Sequence, residues 1–329
     1  MVDCWVITDG NAGARSQAIG LAESLGIKFE EKTFRLKAPF RLFAPYIKFN
    51  YLKYKSENNS KFSGPLPKLA IICGNSARSI GSYLKKQSPK IFTIFIQDPK
   101  ISPKYFDLVI APNHDKITGP NVIKTFFALN RVTKEKLQNE EENHSKIFKN
   151  LTKPFNTILI GGTTKKYSMS IKACNKFIED LKYILTHHKG SFLITNSRRT
   201  PKYLNNKIHE IIQGKDNIVF YDYHSANNNP FFAFLAKANQ IFITNDSISM
   251  LSEAKATDSD VAVIPLLGHN KTKVAKVFDN LLQKEQISLF KNSKYKKQKK
   301  DKMRETDSVA EKVRSILISK GVLKKTYLK

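Results

Sequence analysis

Short apolar runs that end in glycine, asparagine or aspartate, separated by segments of helical period, constrain this chain more than any other feature. In the first half they are Cys4–Gly10 (CWVITDG), Lys68–Gly74 (KLAIICG), Lys90–Pro99 (KIFTIFIQDP) and Phe106–Pro112 (FDLVIAP). Such near-continuous apolar strands are buried on both faces, as in a parallel sheet covered by helices. After the first strand, RSQAIGLAESLG places Ala18, Leu21, Ala22 and Leu25 at helical spacing, with Gly26 as the stop. IKFEEKTF reads as a second strand and SARSIGSYLKK as a second helix. Right-handed crossovers then make a doubly wound α/β domain.

The second half repeats this logic. NTILIGG, SFLITNS, NIVFYDY, QIFITN and VAVIPL read as strands. IKACNKFIEDLKYILTHH, TPKYLNNKIHEIIQG, NPFFAFLAKA and SISMLSEAKAT read as the intervening helices. Residues 131–150 are charged and helical in pattern, without a sizeable core stripe, and read as a linker helix. The expected division is an N-terminal Rossmann-like domain over 1–150 and a C-terminal one over 151–329, closed by a helix in ETDSVAEKVRSILISKG.

Composition narrows the function classes. Hydrophobic residues make up 41%, enough for real cores. No apolar run reaches the ~18 residues of a membrane span, and the N-terminus lacks a basic region and cleavage site, so a cytoplasmic protein is expected. Cys4, Cys73 and Cys174 are far apart in sequence and have no metal-ligand spacing; Cys4 and Cys73 sit in apolar runs and read as core. The net charge is +28, but only nine of the 56 basic residues are arginine. Three sources fit that charge: the lysine, asparagine and isoleucine drift of an AT-rich genome, an anionic membrane surface, or nucleic acid. The basic aromatic stretch Arg35–Tyr54 reads either as an interfacial segment or as an ordinary packing helix.

Open α/β sheets bind ligands beyond the carboxyl ends of their strands. In the first half those ends carry Asp9, Gly10, Asn11 and Gly13, with Gln17 one turn into the helix, then Asn75 and Ser76, then Gln97 and Asp98. In the second half they carry Gly161, Gly162 and Thr163, then Ser197, Arg198 and Arg199, then Asn245, Asp246, Ser247 and Ser249, with Glu253 one turn further. Glycines admit close approach, helix starts favour anions, and arginines clamp phosphate. Singly, each piece also reads as turn or cap chemistry; their placement on one sheet edge gives them force. The G-x-G-x-x-G, P-loop and G-x-S-x-G patterns are absent.

The segments ITDGNAGARSQAIGLAESLG, QDP, FDLVIAPNHD, TNSRRTP and NPFFAFLAKANQIFITNDSISMLSEA resemble the bacterial relatives of the plant mitochondrial fission factor, the Elm family, over Trp5 to Leu266. That resemblance implies a GT-B-like fold, two Rossmann-like doubly wound domains facing across a cleft, and a glycosyltransferase-like activity. IGGTTKK and SISMLSEAKATDSDVAVIPL also look like the glycine loop and donor helix of the peptidoglycan N-acetylglucosaminyl transferase. Glu253 falls on that enzyme's ribose-binding glutamate, whereas Ala14 stands where its first glycine loop ends in histidine.

The reading is a metal-independent glycosyltransferase. It needs no cofactor, since the nucleotide-diphosphate sugar enters as substrate, and its acceptor is expected to be an envelope or lipid-linked molecule. The second domain takes the donor through Ser197, Arg198, the amides near Gly162 and Ser247, and Glu253. Asp9 and His114 are the candidate general bases, both following strands of the first domain; both equally read as turn residues. The alternative is a non-catalytic binding or recruitment protein on the same fold. A nucleic-acid binder has no supporting motif.

Overall fold

The computed structural model of the chain describes residues 4–37, 62, 65–224, 228–270, 272–292 and 304–324. The chain divides into two compact units, Met1–Arg131 with Met303–Lys329, and Val132–Lys302. Most of the basic aromatic stretch Arg35–Tyr54, and the lysine-rich residues 293–303, lie outside the described residues.

Unit 1 is a doubly wound domain on a parallel sheet. Its strands are β1 (Cys4–Thr8), β2 (Phe29–Thr33), β3 (Leu69–Cys73), β4 (Phe92–Ile96), β5 (Leu108–Pro112) and β6 (Val122–Thr125), in the order β2-β1-β3-β4-β5-β6. Helices α1 (Ala12–Ser24) and α2 (Arg78–Gln87) follow β1 and β3. Alternation along each strand sorts the core into two layers. Cys4, Val6, Leu69, Ile71 and Cys73 pack with Ala18, Leu21, Ala22 and Leu25 of the α1 segment. Trp5, Ile7, Ala70 and Ile72 point the other way, onto Ile80 and Leu84 of α2.

Unit 2 repeats the plan. After α3 (Lys134–Asn143) come β7 (Phe155–Leu159), α4 (Ile171–His187), β8 (Ser191–Thr195), α5 (Lys202–Ile212), β9 (Ile218–Tyr221), α6 (Phe231–Lys237), β10 (Gln240–Thr244), α7 (Ile248–Lys255), β11 (Asp260–Ile264), α8 (Lys273–Gln283) and β12 (Ser288–Leu289). The parallel sheet runs β12-β11-β10-β7-β8-β9. Ile158, Ile194, Phe242 and Ile264 face Phe177, Leu181 and Leu204 of α4 and α5. On the other face Phe155 and Leu193 meet Phe234 of α6.

The partition departs from the sequence expectation in two places. The linker helix α3 belongs to unit 2, where Lys237 of α6 pairs with Glu141. The last helix, α9 (Glu305–Ser319), belongs to unit 1 rather than closing the second domain. Its Val309, Ala310, Val313 and Leu317 complete the α1 layer, a stripe of helical period with no partner marked in the sequence. Its N-terminus grips the end of β6: the Glu305 carboxylate accepts from the Phe126 and Phe127 amides at 2.5 Å each.

Candidate functional site

Each sheet reverses its winding direction once, and the loops at that point carry an aspartate. In unit 1 the reversal lies between β1 and β3, whose register pairs Thr8 with Cys73, so Asp9 and Gly74 leave the sheet side by side. The Asp9 carboxylate accepts from the Asn11 side chain (2.8 Å) and amide (3.2 Å) and from the Asn75 amide (3.1 Å). Arg35 donates through Nε to the Asp9 carbonyl at 2.6 Å. Gly74 has φ +108°, and a β-carbon there would meet the Asp9 carboxyl carbon at 2.6 Å. Burial, with Asp9 adding to it, pushes the Cys73 thiol well above its ordinary value.

Of the other predicted residues of this unit, Gln17 and Ser76 are buried, while Gln97, Asp98 and His114 are half-buried. Gln17 is buried and donates to the Gly13 carbonyl (3.0 Å) of its own helix. Ser76 is buried beneath the start of α2, its carbonyl accepting from Ser79. Gln97 has φ +89°, a strained region for a non-glycine residue, and its amide donates to the Ile110 carbonyl. Asp98 closes a turn onto the Lys100 amide and side chain. His114 sits in the turn closed by the Asp115 amide on the Pro112 carbonyl.

In unit 2 the reversal lies between β7 and β10. Asp246 follows β10, and its side chain is fully buried. One carboxylate oxygen accepts from the Gly162 amide (2.9 Å) and Arg199 Nη2 (3.2 Å), and the other from Thr244 Oγ1 (2.7 Å). A β-carbon on Gly161 would lie 2.0 Å from that carboxylate. The loop after β8 is tied to the same place: Thr200 Oγ1 donates to the Gly161 carbonyl (2.6 Å), and the Thr163 amide donates to the Arg199 carbonyl (3.0 Å). Ser197 Oγ accepts from the Arg199 amide. So Asp246 brings together the Gly161–Thr163 loop, the Ser197–Thr200 loop and the entry to α7.

This geometry differs from the expectation that loop amides near Gly162 are available to a diphosphate. The amides of Gly161, Gly162, Thr163 and Thr164 all donate within the protein, to Thr244 Oγ1, Asp246, Arg199 O and Tyr167 O. The helix after this loop starts only at Ile171, capped by Ser170. Asn245 is likewise structural, its side-chain oxygen accepting from the Leu266 amide at the end of β11. Ser247 caps α7 by accepting from the Met250 amide. Ser249 lies in the first turn of α7, and Glu253 is buried one turn later.

Sequence reasoning missed four residues here. Arg35 opens a stretch read as a basic, aromatic segment and not as a contact of Asp9, and Thr200 supports the Gly161 loop. Tyr167 and His269 pack edge to face at 4.8 Å, and the Tyr167 hydroxyl and His269 Nδ1 are buried without a hydrogen-bond partner among the described residues. Burial, reinforced by Asp246, pushes the Tyr167 hydroxyl up to about 12. Burial lowers His269, against the pull of Asp246. The available signal was the loop after VAVIPL, read for its strand and not for the histidine just beyond its carboxyl end.

Comparison with known proteins places this arrangement. The chain is 26% identical over 326 residues to an uncharacterized protein of Rickettsia prowazekii (strain Madrid E), covering 89% of this chain and 91% of the other. It is 26% identical over 251 residues to the mitochondrial fission protein ELM1 of Arabidopsis thaliana, covering 69% of this chain and 57% of that one. The fold resembles UDP-GlcNAc 2-epimerase from Neisseria meningitidis bound to UDP-GlcNAc, with a TM-score of 0.53, 14% identity, and 96% and 99% of the two chains covered. The fold is therefore of the GT-B class, built from two Rossmann-like units. A family model described as mitochondrial fission ELM1 matches residues 12–317, and the chain belongs to that family.

Proposed function

We propose that the protein binds a nucleotide-diphosphate sugar through unit 2 and transfers the sugar without a metal. The observation that carries this reading is the Asp246-centred junction at the reversal of the second sheet, which sets Arg199 beside a hydroxyl-bearing helix start. The fold neighbour crystallised with UDP-GlcNAc supports the ligand class. With the Gly162 amide already engaged, the diphosphate is assigned to Arg198, Arg199 and the first turn of α7 with Ser249, where the helix dipole favours negative charge. Glu253 accepts from the ribose hydroxyls. These fixed donors stabilise the leaving diphosphate, so charge neutralisation needs no cation. The acceptor belongs to unit 1, with Asp9 or His114 as base, and is an envelope or lipid-linked molecule.

Incubation with UDP-GlcNAc and measurement of released UDP tests transfer or its hydrolytic side reaction. The expected result is slow release, unaffected by a chelator and lost in Arg198→Ala. Release that requires a divalent cation contradicts the metal-independent mechanism.

A second reading is favoured by Asp9, whose carboxylate is held by the Asn11 and Asn75 amides and the Asn11 side chain and so is built into the turn. On that reading the protein is a binding or recruitment platform on the same fold. Nucleotide binding with no release of UDP, in the presence of a membrane lipid extract as acceptor source, is its signature.

A further inference from the structure

We propose that the edge of unit 2 formed by residues 163–172 and 198–203 docks on an anionic phospholipid bilayer. These residues are not those of the aromatic stretch Arg35–Tyr54; Arg198 and Arg199 are shared with the nucleotide reading, so the test below changes only residues outside it.

The two segments are adjacent because β7 and β8 are neighbours in register, Leu159 opposite Thr195. They are also tied directly. The Thr163 amide donates to the Arg199 carbonyl (3.0 Å), and Tyr203 Oη donates to the Asn175 side chain (2.7 Å) between α5 and α4. Residues 161–178 and 195–209 contain eight lysines and arginines and no aspartate or glutamate. Lys176 pairs with Asp180 and Glu179, Lys207 with Glu210, and Arg199 with Asp246. Lys165, Lys166, Lys172, Arg198 and Lys202 are exposed around the edge. The N-termini of α4 and α5 point their positive dipole ends the same way, since both helices follow parallel strands of one sheet.

Two apolar side chains stand among these cations. Ile171 is 65% exposed at the first position of α4, and Tyr203 is 37% exposed near the start of α5. An exposed aliphatic one helical turn from the residue that Tyr203 bonds, on segments carrying exposed lysines, matches an interface in which apolar groups enter the headgroup layer and ammonium groups meet lipid phosphates. A nucleic acid uses the cations but has no use for the isoleucine, which decides between the two polyanions. Each lysine near an anionic membrane surface strengthens binding about five-fold.

The test is sedimentation with vesicles of phosphatidylcholine alone and of phosphatidylcholine with phosphatidylglycerol, at low and high salt. Three proteins are compared with the full chain. They are the triple variant Lys165→Glu, Lys166→Glu, Lys172→Glu; the single variant Ile171→Ser; and a charge-matched control, Lys146→Glu, Lys149→Glu, Lys215→Glu, on exposed lysines elsewhere in unit 2. Glutamate suits the first turn of α4, so Lys172→Glu is compatible with the fold. The expected result is salt-sensitive binding to phosphatidylglycerol vesicles only, weakened on the order of 100-fold in the edge triple. A smaller loss is expected in Ile171→Ser and little change in the control. Equal losses in the edge and control triples assign the binding to diffuse charge and overturn the proposal. So does an absence of vesicle binding by the unaltered chain, including the case in which it binds a single-stranded oligonucleotide through the same lysines.

Discussion

At the scale of single residues, Asp246 organises the candidate site without needing to touch a ligand. Its carboxylate satisfies the Gly162 amide, the Thr244 hydroxyl and part of Arg199 from a fully buried position. Asp246→Ala strands those donors, and each buried unsatisfied group costs roughly 1–3 kcal/mol. A loss of about 2–4 kcal/mol in urea unfolding is expected, and a loss below about 1 kcal/mol contradicts the assignment. Gly161→Ala forces a methyl onto the same carboxylate, 2.0 Å away, and is expected to displace the loop and abolish nucleotide binding even where the fold survives. The residues of this junction were legible in part. Asp246, Gly161, Gly162 and Arg199 follow from the rule about strand ends, but their roles do not, because the sequence does not say which amides are consumed by side chains three loops away. The same limit hid Tyr167 and His269, which meet only through tertiary packing.

His269 gives this junction a pH dependence whose sign is fixed. Burial lowers its pKa from the ordinary 6.5, so below that pH the unfolded chain takes up a proton that the folded chain resists. Stability then falls as pH drops below about 6.5 and levels off beneath the folded-state value. His188 is lowered too, first by burial and then by His187, and contributes in the same direction. His269→Phe keeps a ring against Tyr167 and removes one titrating group. The difference between urea midpoints at neutral and mildly acidic pH should narrow in this variant. An unchanged difference contradicts the burial argument.

At the scale of elements, the strands were readable because parallel strands buried on both faces are nearly all apolar, and most helices because their apolar period is 3.6. What the sequence hid were elements whose partners decide them. β6 is an edge strand only half-buried apart from one residue, and its apolar pattern is weak. The two-residue β12 exists only as a pairing with β11, and α8 was passed over within the stretch before it. Helix α9 was visible as a helix, but its destination was not. It returns to unit 1, where Leu317 is fully buried and Glu305 holds two amides beyond β6. Leu317→Ala should cost about 2–5 kcal/mol as the cavity opens against the α1 layer. If thermal unfolding of that variant leaves unit 1 unaffected, as read by Trp5 fluorescence, the return of α9 to this unit is contradicted.

At the scale of the whole molecule, each doubly wound unit reverses its sheet once, where open α/β sheets take ligands, and an aspartate ties the loops there. The family relationship admits either catalysis or recruitment, and the +28 charge adds affinity for anions without choosing among them. The membrane edge and the nucleotide site therefore need separate readouts. Arg198→Ala should weaken nucleotide binding strongly and vesicle binding only about as much as the loss of one basic residue from the edge, roughly five-fold.

The most direct test of the central claim is a thermal-unfolding panel of nucleoside diphosphates and UDP-GlcNAc against the unaltered chain and Glu253→Ala. The account predicts that one nucleoside diphosphate and its sugar raise the unfolding temperature, by an amount corresponding to about 2.7 kcal/mol at a ligand concentration 100 times Kd. It also predicts that the rise disappears in Glu253→Ala. No shift with any nucleotide, or a shift that Glu253→Ala leaves intact, contradicts a nucleotide-sugar site in unit 2.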